Sequence, residues 1–197
     1  MRFDPGKHHR RSIRLKGYDY TQAGAYFVTI CTQKRALFFE NEAVRRIAEQ
    51  CWLEIPHHVP TVELDEWVVM PNHTHGIIVV NRRGVRRGVQ LNAPTMTMAH
   101  GTDTPTRTTD NRFSAMSPHR NALAVIVRTY KAAVTTRCRR EGFDDFAWQR
   151  NYYEHIIRDE DEFNRIRQYI AENPLKWEMD RENLAARTAG IGESWQV

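Results

Sequence analysis

Residues 61–80 read TVELDEWVVM, then Pro71 and Asn72, then HTHGIIVV, and this pattern decides the architecture. The runs 61–70 and 73–80 are rich in β-branched and apolar side chains, as strands are. With only two residues between them, they are predicted to form a hairpin. On a strand, residues i and i+2 share a face. His73 and His75 therefore project side by side, close enough to share one divalent cation. An idle histidine amid so apolar a strand pair would need a buried partner. Gly76 follows, and its missing side chain is expected to leave room for a substrate backbone. His-X-His by itself is a short motif that a purely structural pair also satisfies.

The flanking segments complete a familiar order. Residues 24–32 (GAYFVTICT) read as a strand. From Glu40 to Ile55 the apolar positions Val44, Ile47, Ala48, Cys51 and Ile55 recur at threes and fours. That spacing predicts an amphipathic helix, which Pro56 stops. A second helix is predicted from Ser117-Pro118, with Leu123, Ile126, Val127, Tyr130 and Val134 on one face. Residues 146–157 (FAWQRNYYEHII) read as a fourth strand. Residues 159–172 read as a last helix, with acids in its first turn, Phe163, Ile166 and Ile170 facing the core, and Pro174 ending it. The order β-α-β-β-α-β plus one helix predicts an α+β fold: a ferredoxin-like split βαβ antiparallel sheet, helices on one face, and a C-terminal helix.

With 197 residues and 23.2 kDa, the chain has room for one well-buried domain and not for two. A basic N-terminal arm (1–17), an aperiodic Gly/Thr/Pro/Arg-rich stretch (about 82–118) and a tail (about 178–197) flank or interrupt it. The 82–118 stretch reads as a tolerated surface insertion or as a functional loop. No apolar run approaches a membrane span, and no secretory signal is visible. Three cysteines without metal-type spacing read as free thiols of a reducing cytoplasm.

Lys and Arg number 29 against 24 acids, a net +5. The excess is clustered: Arg10, Arg11, Arg14 and Lys16 in the arm; Arg82, Arg83, Arg86 and Arg87 in the loop; Arg137, Arg139 and Arg140 at a helix end. Three basic clusters in a small domain point to a nucleic-acid partner, although any single cluster also fits a solvated face.

Tyr169 and Asn173, four residues apart, share one face of the last helix. Tyr169 reads as half-buried packing or as a nucleophile whose hydroxyl, with an ordinary pKa of about 10, needs a nearby cation or base. Asn173 reads as a helix cap before Pro174 or as a metal ligand. His155 reads as a packed histidine, or one that assists proton transfer or touches DNA. Glu63 and Asp65 read as a solvated strand face rather than a carboxylate pair for metal.

Together these segments resemble a known family. The string Trp67-Val-Val-Met-Pro-Asn-His-Thr-His-Gly76 is similar to the His-hydrophobic-His signature of HUH single-strand DNA endonucleases, with Thr74 in the usually hydrophobic middle place. The strings 148–158 (WQRNYYEHIIR) and 166–177 (IRQYIAENPLKW) resemble the REP-associated tyrosine transposases. The resemblance covers about residues 17 to 177, omitting the 82–118 loop. It implies metal ligation by His73 and His75, with Asn173 as a third ligand. It implies Tyr169 as the nucleophile and Mg²⁺ or Mn²⁺ as the cofactor. The implied activity is nicking and strand transfer on single-stranded, hairpin-forming DNA through a 5′-phosphotyrosine link. The implied assembly is a monomer or a homodimer, and the expected location is the cytoplasm. Two alternatives stand beside it: a domesticated DNA-hairpin-binding protein that does not cut, and a structural or hydrolytic metal site unrelated to DNA.

Overall fold

The computed structural model describes residues 22–81, 122–180 and 182–188. Arg10, Arg11, Arg14, Lys16, Arg82, Arg83, Arg86 and Arg87 lie outside the described residues, as do the whole predicted loop and the last residues of the tail. The elements are β1 (Gly24–Cys31), α1 (Glu42–Leu53), α2 (Ile55–His58), β2 (Val62–Met70), β3 (His73–Val80), α3 (Leu123–Arg140), β4 (Tyr153–Ile157), α4 (Glu160–Glu172) and α5 (Leu184–Thr188). The sheet order is β2-β3-β1-β4, and every neighbouring pair is antiparallel. That is the expected split βαβ topology.

The two faces of the sheet carry two cores. Tyr26, Val28, Ile30, Ile78 and Val80 meet Val44, Ile47, Ala48 and Trp52 of α1 and Leu123, Ile126, Val127, Tyr130 and Val134 of α3. The opposite face holds Ala25, Phe27, Ile77, Val79 and Ile157, which meet Phe163, Ile166 and Ile170 of α4. With β3 wholly buried, its odd residues point toward α4 and its even residues toward α1 and α3. His73 and His75 are thereby assigned to the α4 face.

Two local features set that alignment. Strict alternation along β2 would place Glu66 beside Val62 and Leu64. A bulge between Leu64 and Trp67 shifts the register instead, so that Trp67 pairs with Gly76 and Val68 with His75. Gly76 lies on the face opposite the histidines. A Cβ there would sit 2.3 Å from Trp52 Cζ2. The expected role of Gly76 is thus corrected: the space is filled by the α1 tryptophan, not left for a substrate.

Several boundaries differ from expectation. Asn41 caps α1, its Oδ1 accepting from the Ala43 and Val44 amides. Pro56 opens the short α2 rather than merely halting α1. β4 is shorter than predicted because Phe146 and Trp148 turn inward, packing on each other with ring centroids 5.2 Å apart and on Phe39. Their segment meets β1 only by an isolated Thr32–Trp148 bridge. α4 begins on an Asp159 cap, whose Oδ1 accepts from the Glu162 amide at 2.8 Å. Pro174 does not end the helical path: a 3-10 segment runs on over Asn173–Met179.

Candidate metal and tyrosine site

The site is built on one end of the β1–β3 ladder. Cys31 pairs with His73 and Thr29 with His75. His73 is fully buried and His75 is 2% exposed. Their Nε2 atoms lie 2.9 Å apart. Two ligands at right angles on a cation with bonds of ~2.1 Å would be about 3.0 Å apart. The pair is therefore already spaced as adjacent ligands of one ion.

Each imidazole is held from behind. His73 Nδ1 lies 2.7 Å from Asn72 Oδ1, and His75 Nδ1 lies 2.9 Å from Thr29 Oγ1. Such outer contacts orient metal-binding histidines and set which nitrogen faces the ion. Burial first, then the proximity of His75 and Arg35, holds the His73 pKa well below the usual imidazole range. His73 is thus neutral, the form that can donate a lone pair.

α4 brings Tyr169 over this pair. Its hydroxyl is 3.1 Å from His75 Nε2. Its ring packs edge-on against Phe27 with centroids 5.9 Å apart, and Phe27 in turn lies 5.3 Å from the His75 ring. The phenol is therefore both half-buried packing and a polar contact to the histidine pair. Asn173, one turn on, is 2% exposed, and its Oδ1 is buried without a hydrogen-bond partner. A buried oxygen left unsatisfied is costly in a protein that binds nothing there. An amide oxygen is also a proper donor atom for a hard divalent cation.

The sequence reading missed one carboxylate. His73, His75 and Asp180 offer ligand atoms that all lie within 4.8 Å of one another. The 3-10 segment carries the chain back over β3, with the Trp177 ring 6.1 Å from His73. The turn after it is tied down: Asp180 Oδ1 accepts from the Glu182 amide at 2.6 Å. Glu182 itself is buried and bonded to Arg35 through its carboxylate, and its carbonyl accepts from Asn72 Nδ2 at 2.8 Å. Only a carboxylate shortly downstream of the Asn-Pro pair hinted at this, and a tail read without periodicity gave no reason to choose it. Burial and the Glu182 charge push the Cys31 thiol up to about 12, so it remains protonated beside the site.

The remaining expected residues lie apart. His155 faces the α4 side, but its Nε2 is engaged with Glu162 Oε1 at 2.7 Å. Arg137 makes a two-pronged pair with Glu54, at 3.0 and 2.6 Å. Arg139 and Arg140 are exposed at the end of α3, in the helical layer on the far side of the sheet from the histidines. Asp65 is not merely solvated: its carboxylate grips Arg167 of α4 at 2.6 and 2.7 Å.

Comparison with known proteins agrees with this architecture. No family model matches the chain. An uncharacterized protein of Haemophilus influenzae is 38% identical over 188 residues, spanning 91% of this chain and 96% of its own. A solved structure, a REP-associated tyrosine transposase bound to a REP hairpin, superposes with a TM-score of 0.53 at 20% identity, over 85% of this chain and 74% of its own. The chain belongs to one family with the Haemophilus protein, and its fold is that of the REP-associated tyrosine transposases.

Proposed function

We propose that the protein is a metal-dependent single-strand DNA nickase and strand transferase, a transposase of the REP-associated kind acting on hairpin-forming DNA. One observation carries this reading: the Tyr169 hydroxyl reaches the nitrogen that His75 presents to His73, in a buried cluster that also holds Asp180. The solved relative in fold is bound to a REP hairpin, which supports a hairpin as the substrate.

His73, His75 and Asp180 would hold Mg²⁺ or Mn²⁺, with Asn173 Oδ1 as a further donor. When bound, such an ion draws charge from a phosphoryl oxygen and supports in-line displacement. In the proposed step the Tyr169 oxygen bonds to phosphorus and the bond to O3′ breaks. The phenol loses its proton and the leaving oxygen gains one, giving a 3′-hydroxyl and a 5′-phosphotyrosine. A second 3′-hydroxyl reverses the step without an external energy source, because the phosphotyrosine retains the bond energy. Packing of the Tyr169 ring on Phe27 fixes the direction of the phenol, which is the entropic part of the catalysis. Phosphates would be met by Arg10, Arg11, Arg14, Lys16, Arg82 and Arg83, whereas Arg139 and Arg140, on the far side of the sheet, would meet only DNA that wraps around the domain. Arg137 is committed to Glu54 and contributes less. Among the described residues, no helix is long and apolar enough to cross a membrane.

The test is incubation of the protein with a labelled single-stranded hairpin and Mn²⁺. A covalent adduct is expected with the natural chain and none with Tyr169→Phe. An adduct formed by the phenylalanine variant would remove Tyr169 from the chemistry. Hairpin binding without any adduct would leave a DNA-binding module that no longer cuts.

A further inference from the structure

Asn72 is fully buried in the two-residue turn between β2 and β3. Its Nδ2 lies 2.8 Å from the Glu182 carbonyl oxygen and 3.3 Å from that of Arg35. Both are backbone acceptors with no proton to give, so the amide can be oriented only one way. The nitrogen faces the carbonyls, and Oδ1 faces His73 Nδ1 at 2.7 Å. An amide oxygen accepts and never donates. His73 Nδ1 must therefore carry the proton, and the lone pair of its neutral ring lies on Nε2.

His75 is placed differently. Its Nε2 faces the His73 lone pair at 2.9 Å, so without a cation it must carry the bridging proton. Its Nδ1 then accepts from the Thr29 hydroxyl, 2.9 Å away. A hydroxyl can donate or accept. A cation held by both Nε2 atoms would require the other His75 tautomer, with the proton on Nδ1, and the Thr29 hydroxyl could then accept instead of donate. Asn72 has no such freedom.

We propose that Asn72 is a positioning residue for the histidine pair: it locks His73 in the Nδ1-protonated form, so that Nε2 is presented to the site as an electron-pair donor. The lock is itself set by the carbonyls of Arg35 and Glu182, so the segment after the 3-10 turn helps to fix the tautomer of a residue more than a hundred positions earlier in the chain. Thr29 serves the partner histidine as an adjustable contact. This inference rests on the reading that the pair holds a divalent cation, and its test separates the two.

The experiment uses the full chain with ¹⁵N-labelled histidine. Ring-nitrogen shifts in the metal-free protein report each tautomer directly, and calorimetric titration with Mn²⁺ reports affinity. The natural protein is expected to show His73 as the Nδ1–H form. Asn72→Ala should lose that form and bind Mn²⁺ about 10- to 100-fold more weakly, the usual range for an outer-contact loss. Asn72→Asp keeps an oxygen toward His73 Nδ1 but gives up the donor contacts to the Arg35 and Glu182 carbonyls, so it should retain the Nδ1–H tautomer at some cost in stability, which general loosening of the turn would not do. If Asn72→Ala keeps the Nδ1–H form, or binds Mn²⁺ as the natural protein does, the proposal is overturned. Should the alanine variant melt too early to assay, Asn72→Asp decides alone: an Nε2–H tautomer there also overturns it. A natural chain that shows the locked tautomer but takes up no Mn²⁺ would sink the cation reading and leave the lock standing.

Discussion

Tyr169 and His73 compete for one atom of His75. The phenol oxygen lies 3.1 Å from His75 Nε2, the same nitrogen that faces His73 at 2.9 Å. A nitrogen that binds a cation has neither a proton nor a lone pair left for the phenol. Filling the site and keeping this contact are thus exclusive, so on the proposed reading an ion bound there would also free the Tyr169 hydroxyl for attack. Tyr169→Phe removes the competitor. Mn²⁺ affinity in that variant is expected to be equal or up to about fivefold tighter, the worth of one ordinary hydrogen bond of ~1 kcal/mol. Titration calorimetry checks it, and a tenfold loss of affinity would mean that the phenol oxygen itself holds the ion.

Asp180 is expected to contribute charge as well as an oxygen. Cation affinity follows the number of charged ligands, so Asp180→Ala should weaken Mn²⁺ binding by about tenfold or more, with Asp180→Asn between it and the natural chain. The alanine variant would also lose the 2.6 Å contact to the Glu182 amide, because the accepting Oδ1 is gone. An unchanged binding isotherm would show that the carboxylate serves only the turn.

Most of the fold was legible because periodicity reports which face of an element is buried. The apolar spacings on α1, α3 and α4 and the continuous apolar, β-branched run of β3 are local properties of the chain. His73 and His75 could be singled out as candidates for the same reason, because they share a strand face; Tyr169 sits off the core stripe of its helix, but its candidate role came from the family resemblance and not from periodicity. Asp180 could not, because it reaches the site through a 3-10 turn whose path depends on tertiary contacts from Arg35 and Asn72 to Glu182. The extent of β4 was misread because aromatic side chains favour strands and also fill cores. At Phe146 and Trp148 packing on Phe39 decided the outcome. Asp65 looked solvated because its partner, Arg167, is 102 residues away in sequence.

Gly76→Ala should cost stability through α1 rather than through the site. The new methyl would meet Trp52 Cζ2 at 2.3 Å and Cη2 at 2.9 Å. The ring is fully buried and touches Tyr130 edge-on with centroids 5.2 Å apart, so it has little room to withdraw. Overpacking of this kind costs roughly 1–3 kcal/mol. Urea unfolding of the variant measures it, and a loss under ~0.5 kcal/mol would show that the tryptophan moves freely.

Native cysteines should resist thiol reagents. Cys31, Cys51 and Cys138 are all buried. Burial is the main cause that raises the thiols, to about 12 at Cys31 and about 11 at Cys138. Since the thiolate is the reactive form, labelling at neutral pH should be negligible until the chain is unfolded in denaturant. Rapid labelling of one native cysteine would contradict its burial.

The Asp65–Arg167 pair joins β2 to the helix that carries the tyrosine, two residues before it. The Arg167 hydrogen bond holds the Asp65 carboxyl below its ordinary value of 3.8. A carboxylate with a lowered folded pKa stabilises the native state fully above its unfolded value, and that contribution fades as pH falls through the folded value. Asp65 is 26% and Arg167 39% exposed, so solvent screens the pair and the gain is at most about 1 kcal/mol. Asp65→Asn should therefore be slightly less stable than the natural chain at pH 7 in low salt. The gap should narrow in high salt and close at a pH acidic enough, below the ordinary 3.8, to protonate the Asp65 carboxyl in the folded chain. Because Arg167 also lies 4.1 Å over the Phe163 ring, the variant keeps part of its anchoring, and α4 should loosen rather than detach. Denaturant midpoints at the two pH values decide the matter: a difference that persists in acid would mean that Asp65 acts through shape and packing, not through its charge.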